Sequence, residues 1–121
     1  MVAGGGTGDA TIYLAEQLID TDATIVHLDI SATSIDIARR RARIRELTNI
    51  KWVQASLLNL GPSDLGTFDY INCTGVLHHL EQPTTGLRVL ASLLNETGAM
   101  SIMVYGKYGR TGVYQMQQLM A

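Results

Sequence analysis

The sequence predicts a single-domain α/β protein with a parallel sheet built from βαβ units. Short β-branched runs alternate with longer segments of helical spacing, and this alternation is typical of that class. A chain of 121 residues is long enough for one hydrophobic core. Its residues are 46% hydrophobic and 17% charged, with only two prolines, which excludes a disordered or fibrous protein.

The alternation places five strands and three connecting helices along the chain. The strands are predicted at residues 1–3, 24–29, 50–54, 68–74 and 100–105. The helices are predicted at residues 9–19, 34–47 and 84–94, the second with Ser31 or Thr33 as N-cap and the third ended by Asn95 and Gly98. Residues 61–64 are expected to form a loop and residues 110–120 a further helix. The first strand is short for a buried strand, so we expect the chain to begin inside a fold.

Charge and cysteine content limit the classes of partner and compartment. The net charge of −2 gives no global field that would attract nucleic acid or an anionic membrane. Cys73 is the one cysteine, so neither an internal disulfide nor a thiolate zinc site is expected, and a reducing cytoplasm is the predicted location. No apolar run approaches the ~20 residues needed to cross a bilayer.

A basic run on the second predicted helix could suggest RNA binding. It comprises Arg39, Arg40, Arg41, Arg43 and Arg45. Asp36 and Glu46 interrupt the charge, and no aromatic residue interleaves to stack on bases. We therefore interpret the run as a solvated helix face and predict no nucleic-acid partner.

Residues 2–9, VAGGGTGD, form a glycine turn between a strand and a helix. Glycine tolerates positive φ and lets a ligand approach the backbone. Asp29 ends the second strand 21 residues after Gly8, near the ~20-residue offset at which a carboxylate reaches ribose hydroxyls. A dinucleotide loop needs a small residue where Asp9 stands, and a pyrophosphate would meet that carboxylate. The spacing favours a cofactor without phosphate, such as the cationic S-adenosylmethionine.

Three motifs together resemble the class I S-adenosylmethionine-dependent methyltransferases over nearly the whole chain. They are the GxGxG loop at Gly4, Gly6 and Gly8, the HLDIS segment around Asp29, and FDYINCTGVLHHL at residues 68–80. The resemblance implies a three-layer Rossmann-like core with parallel sheet order 3-2-1-4-5, truncated after the fifth strand.

The resemblance also implies which residues bind S-adenosylmethionine. Asp29 would hold the ribose, Ile30 and Leu57 would sandwich the adenine, and the backbone near Gly4 and Thr74 would hold the methionine portion. Two positions depart from the family pattern. Val2 replaces an acid just before the loop, and Ser56 replaces an aspartate that accepts from the adenine amino group; a neutral hydroxyl makes a weaker bond. The cofactor-binding set is therefore Gly4, Gly6, Gly8, Asp29, Ile30, Ser56, Leu57 and Thr74.

Methyl transfer from a sulfonium depends mainly on positioning, so a catalytic side chain is optional. His78 and His79 follow the fourth strand, where open α/β sheets bind ligands, and are the candidate general bases. They could equally cap a helix or wall the pocket. His27 lies within a strand and is interpreted as packing. Near the last strand, Tyr105, Tyr108 and Tyr114 could shape an acceptor pocket or form an ordinary strand exit.

The function predicted is methyl transfer to a small-molecule acceptor that the sequence does not identify. The alternatives are a non-catalytic methyltransferase-like module, to which Val2 and Ser56 lend weight, and a nicotinamide-dependent oxidoreductase. We also expect a homo-oligomer, because the family fold continues beyond the fifth strand and an exposed sheet edge recruits a partner.

Overall fold

The computed structural model describes residues 1–120, which contain a five-stranded parallel sheet. Its order is β3-β2-β1-β4-β5, so the predicted order 3-2-1-4-5 is confirmed. The strands are β1 (Val2–Ala3), β2 (Ile25–Asp29), β3 (Ile50–Gln54), β4 (Phe68–Thr74) and β5 (Leu94–Met103). Strands β1 and β4 are neighbours in the sheet although two strands separate them in sequence, so the order of the strands reverses between them. The glycine turn leaves the sheet at this point, at the end of β1.

Between residues 1 and 120, four helices lie between successive strands and a fifth follows the last strand. They are α1 (Asp9–Gln17), α2 (Ala32–Ile44), α3 (Pro62–Leu65), α4 (Pro83–Ser92) and α5 (Thr111–Met120). Three short 3-10 turns lie at Leu57–Asn59, Leu77–His79 and Tyr108–Arg110. Of the two predicted N-caps of α2, Ser31 is the right one: its hydroxyl accepts the Ser34 amide at 3.2 Å.

The sheet separates two hydrophobic layers because successive strand residues face opposite sides. Along β2, Val26 and Leu28 pack with Leu90 of α4 on one side. On the other side Ile25 packs with Ala15 of α1. This confirms the three-layer arrangement that the family resemblance implied.

The boundary between α4 and β5 differs from the prediction. Asn95 and Gly98 do not end a helix; α4 ends at Ser92, and β5 begins at Leu94 rather than at residue 100. Leu94 pairs with Phe68 and Ala99 with Tyr70, so extra residues of β5 bulge between these pairs. Asn95 stabilises the bulge by donating to the Asp69 carboxylate at 2.6 Å. A polar, glycine-containing bulge therefore resembled a helix C-terminus in sequence.

The predicted loop at residues 61–64 is also wrong in type, because a single helical turn, α3, forms there. Pro62 has a backbone angle suited to the first helical position. The Asp64 carboxylate accepts the Gly61 amide at 2.8 Å and closes the turn. The glycine, proline, serine and aspartate that predicted a loop here begin a short helix instead.

Strand β5 is the outer strand of the sheet on the β4 side. Ile102, Met103 and Val104 are 39%, 40% and 52% exposed along this edge. Helix α5 has no buried residue, so none of its side chains is packed against the rest of the fold strongly enough to be shielded from solvent. Between residues 1 and 120, none of the helices has the length and apolar character needed to cross a membrane.

Candidate cofactor site

The glycine turn joins β1 to the start of α1 and is held against the end of β2. The Gly5 amide donates to the Leu28 carbonyl at 2.9 Å, and the Gly8 amide donates to the Gly5 carbonyl at 3.0 Å. Gly4, Gly6 and Gly8 have φ of +67°, +53° and +98°, the region that favours glycine. The backbone of the turn therefore favours glycine at all three positions.

Space around the glycines separates their roles further. A β-carbon on Gly4 would collide with Val76, and one on Gly8 would lie 2.8 Å from the β-carbon of Ala38 in α2. A β-carbon on Gly6 would meet no atom within 4 Å. Gly8 thus allows α1 and α2 to pack closely, whereas Gly6 faces open space next to the turn.

Asp29 connects the turn to the end of β2 and the start of α2. Its Oδ2 accepts the Gly6 amide at 2.8 Å, and its Oδ1 accepts the Ser31 amide at 2.8 Å. An ionised carboxylate has about four acceptor positions, so two remain available. Because the side chain is half-buried and lines a cleft, those positions are open to a ligand.

The cleft beside Asp29 has a volume of about 390 Å³, within the ~300–1,000 Å³ typical of small-molecule sites. It brings together five of the predicted residues, which are Gly4, Asp29, Ile30, Ser56 and Leu57. Ile30 is 70% exposed, and Leu57 is buried. The Ser56 hydroxyl accepts the Leu58 amide at 3.3 Å and keeps its own proton for another partner.

Several further residues of this cleft were not predicted as binding residues. They are Leu28, Ala55, Gly75, Val76 and Leu80. Most of them follow the carboxyl ends of β3 and β4, the edge at which open α/β sheets bind ligands, and this rule was the signal that could have found them.

A second cleft, of about 310 Å³, lies on the other side of the glycine turn. Its lining includes Gly4 and Gly6 together with Thr74, so two more predictions meet here. Val2 and Asn72 lie beside them, and Asn72 accepts the Thr74 hydroxyl at 3.3 Å. Gly8 belongs to the lining of neither cleft.

Some arginines of the basic run contact other elements of the fold, and others are exposed. Arg41 bonds the Asp9 carboxylate and the Thr7 carbonyl, each at 2.7 Å, and Arg45 pairs with Glu16 at 3.1 Å. These contacts tie α2 to α1 and to the turn. They also compensate the Asp9 charge that borders the second cleft.

The histidine pair occupies the 3-10 turn after β4. His79 is exposed and lines the first cleft, so the structure brings it to the predicted cofactor residues. The ring of His78 instead stacks on Tyr105 with centroids 3.9 Å apart, and Arg110 lies 4.1 Å over the other ring. Lost solvation, with His79 and Arg110 nearby, lowers the pKa of His78. All three tyrosines are exposed, and of these Tyr105 contacts the histidines.

Comparisons with known proteins agree with the described fold. The family described as a methyltransferase domain matches residues 1–100. An uncharacterised protein from Synechococcus sp. is 42% identical over 120 residues, which is 98% of this chain and 28% of that protein. The ubiquinone biosynthesis O-methyltransferase of Vibrio parahaemolyticus is 27% identical over 85 residues, 70% of this chain and 36% of the enzyme.

Among solved structures, PKMT2 from Rickettsia typhi in complex with AdoHcy aligns with a TM-score of 0.79 and 25% identity. The alignment covers 97% of this chain and 23% of PKMT2. The chain thus spans about a third or less of the length of each of these proteins. Because the family match extends over residues 1–100 and contains the glycine turn, Asp29 and the histidine pair, the chain belongs to the methyltransferase domain family.

Proposed function

We propose that this domain binds S-adenosylmethionine and supports methyl transfer to a small-molecule acceptor. The observation that carries the proposal is the Asp29 carboxylate, which anchors the Gly6 amide and the start of α2 while keeping two acceptor positions in the cleft. Two neighbouring ribose hydroxyls would need two such acceptor positions.

The first cleft fits the adenosine portion of the cofactor. Ile30 offers an exposed apolar surface beside the carboxylate, and Leu57 supplies a buried one. A flat purine covering Ile30 would remove that surface from water, which stabilises binding. Ser56 retains one donor and one free acceptor position, so it can still meet a purine edge.

The second cleft fits the methionine portion, and backbone groups of the turn dominate it. Gly6 has no side chain to fill the space, and Thr74 and Asn72 provide polar side chains. Among residues 1–120, the only carboxylate in its lining is that of Asp9, which Arg41 already engages at 2.7 Å. We therefore assign recognition of the amino-acid group to carbonyls and amides of the turn rather than to an acidic side chain.

When bound, the cofactor supplies a methyl group already activated on a sulfonium. The chain's own contribution is to hold both ends of that molecule along the carboxyl edge of the sheet. His79 is the better placed of the two candidate bases, because it lines the cleft while His78 packs on Tyr105. A base is needed only if the acceptor must lose a proton.

Calorimetric titration of the chain with S-adenosylhomocysteine, S-adenosylmethionine and NAD tests the proposal. We expect the first two to bind and NAD not to bind, because Asp9 stands where a pyrophosphate would lie. Transfer of a labelled methyl group to the low-molecular-weight fraction of a cell extract would support the small acceptor, and transfer only to protein would contradict it. A folded chain that binds neither sulfur compound would refute cofactor binding. The cytoplasmic location stays a prediction from the single cysteine.

A further inference from the structure

His27 lies directly beneath the glycine turn and is 0% exposed. It is in β2, two residues before Asp29, and faces the layer that contains α1. Buried histidines in a sheet usually serve packing. Here the ring also contacts the glycine turn, so its position affects more than packing.

Three elements enclose the imidazole. Its Nδ1 shares a 2.7 Å hydrogen bond with the Thr11 hydroxyl of α1, and its ring lies 4.9 Å from the Trp52 ring of β3. From above, a β-carbon at Gly5 would collide with the imidazole, so the bare Gly5 backbone sits on the ring. The ring therefore fixes how closely the turn approaches the sheet.

The position of Gly5 determines that of Gly6, whose amide reaches the Asp29 carboxylate at 2.8 Å. If the ring moved, the turn and this bond would move with it. His27 is not itself among the residues that line either cleft, so it would act on a ligand through the turn, whose Gly5 lines the second cleft.

Charge on the ring is poorly accommodated. Burial lowers the pKa of His27 from its ordinary 6.5, the Asp29 carboxylate partly opposes this, and Arg39 of α2 adds to it. Thr11 and Trp52, the other groups against the ring, are uncharged at neutral pH. The Nε2 atom has no hydrogen-bond partner within residues 1–120, so a second N–H would be buried without an acceptor.

We propose that His27 is a positioning residue for the cofactor: its uncharged imidazole, held by Thr11, supports Gly5 and so places the Gly6 amide and Asp29 for ligand binding. The inference rests on the proposed function. It adds that this buried ring must be uncharged for the turn to take its binding position.

A double-mutant cycle tests the support. Gly5→Ala adds a β-carbon against the ring and should weaken S-adenosylhomocysteine binding about tenfold or more, as measured by calorimetry. His27→Ala in the same chain removes the obstructing ring, so the double variant should bind more tightly than Gly5→Ala alone. Gly112→Ala is the matched control, because its β-carbon meets nothing within 4 Å. Thermal melts establish that each variant is folded.

A pH series distinguishes positioning from packing. In the parent, affinity for S-adenosylhomocysteine should fall as the pH drops through the lowered pKa of His27, by up to about tenfold per pH unit below it. His27→Asn keeps a polar atom near Thr11 but cannot take up the proton, so this loss should vanish. Gly112→Ala, which lies outside both clefts, should retain it.

Ligand-free protein provides a separate measurement. The Gly6 amide resonance should titrate together with the His27 ring in the parent and should not do so in His27→Asn. Additive losses in the cycle, or a parent-like pH profile in His27→Asn, would overturn the inference. If the parent binds no S-adenosylhomocysteine at any pH, the proposed function fails, and the Gly6 resonance still decides whether His27 positions the turn.

Discussion

Replacement of Asp29 by alanine tests the centre of the proposed site. The carboxylate has two tasks: it anchors the Gly6 and Ser31 amides at 2.8 Å each, and it keeps acceptor positions for a ligand. Charge-assisted hydrogen bonds contribute about 1.5–3 kcal/mol each. Water can replace the carboxylate at this half-buried position, so we expect the free energy of unfolding to fall by about 1–3 kcal/mol.

Asp29→Ala should also weaken ligand binding, beyond its effect on the free energy of unfolding. Two ribose hydroxyls without their charged partner cost about 2–4 kcal/mol, which raises the Kd for S-adenosylhomocysteine roughly 30-fold to several hundred-fold. Asp29→Asn keeps one carbonyl oxygen, so its effect should be intermediate. Calorimetry gives the Kd, and urea unfolding gives the stability.

Asp36→Ala is the matched control for a lost carboxylate. Its side chain is 62% exposed and makes one 4.0 Å ion pair with Arg39, a contact worth less than about 1 kcal/mol. We expect no change in Kd there. If Asp29→Ala bound S-adenosylhomocysteine as tightly as the parent while Asp36→Ala behaved as stated, the ribose would not lie at Asp29 and the proposed site would be wrong.

Three other predictions concern the turn, the buried histidine and the sheet edge. Gly6→Val should abolish S-adenosylhomocysteine binding and lower the free energy of unfolding by about 1–2 kcal/mol, because residue 6 has a positive φ. Gly8→Ala should mainly destabilise the fold, because its β-carbon would press on Ala38. Calorimetry and urea unfolding separate the two effects, and tight binding by a folded Gly6→Val variant would contradict the prediction. Because the pKa of His27 is lowered in the folded state, the unfolded chain is protonated there first as the pH falls. The contribution of His27 to the free energy of unfolding is therefore complete above pH 6.5 and decreases below it. Urea unfolding across pH should show this decrease, and an unchanged decrease in His27→Asn would assign it to another group. The chain should self-associate through the exposed β5 edge and Ile102→Lys should weaken the association; light scattering that finds only monomers across concentrations would refute it.

Local sequence patterns were sufficient for much of the fold. Strands β3 and β4 have the predicted bounds, and β2 differs by one residue, because short β-branched runs ended by turn residues specify strands locally. The glycine turn and Asp29 were also predictable. Their spacing follows from the length of one helix and one strand, so the carboxylate necessarily returns to the same edge of the sheet.

Long-range packing decided the rest. The start of β5 depends on its pairing with β4 across a bulge, and no local pattern distinguishes that bulge from a helix end. The separate roles of the three glycines depend on Val76, Ala38 and open space, which come from other elements. The sequence could show that His27 lies in a strand, but only the tertiary structure places its ring under Gly5, because that contact joins β2 to a turn more than twenty residues away.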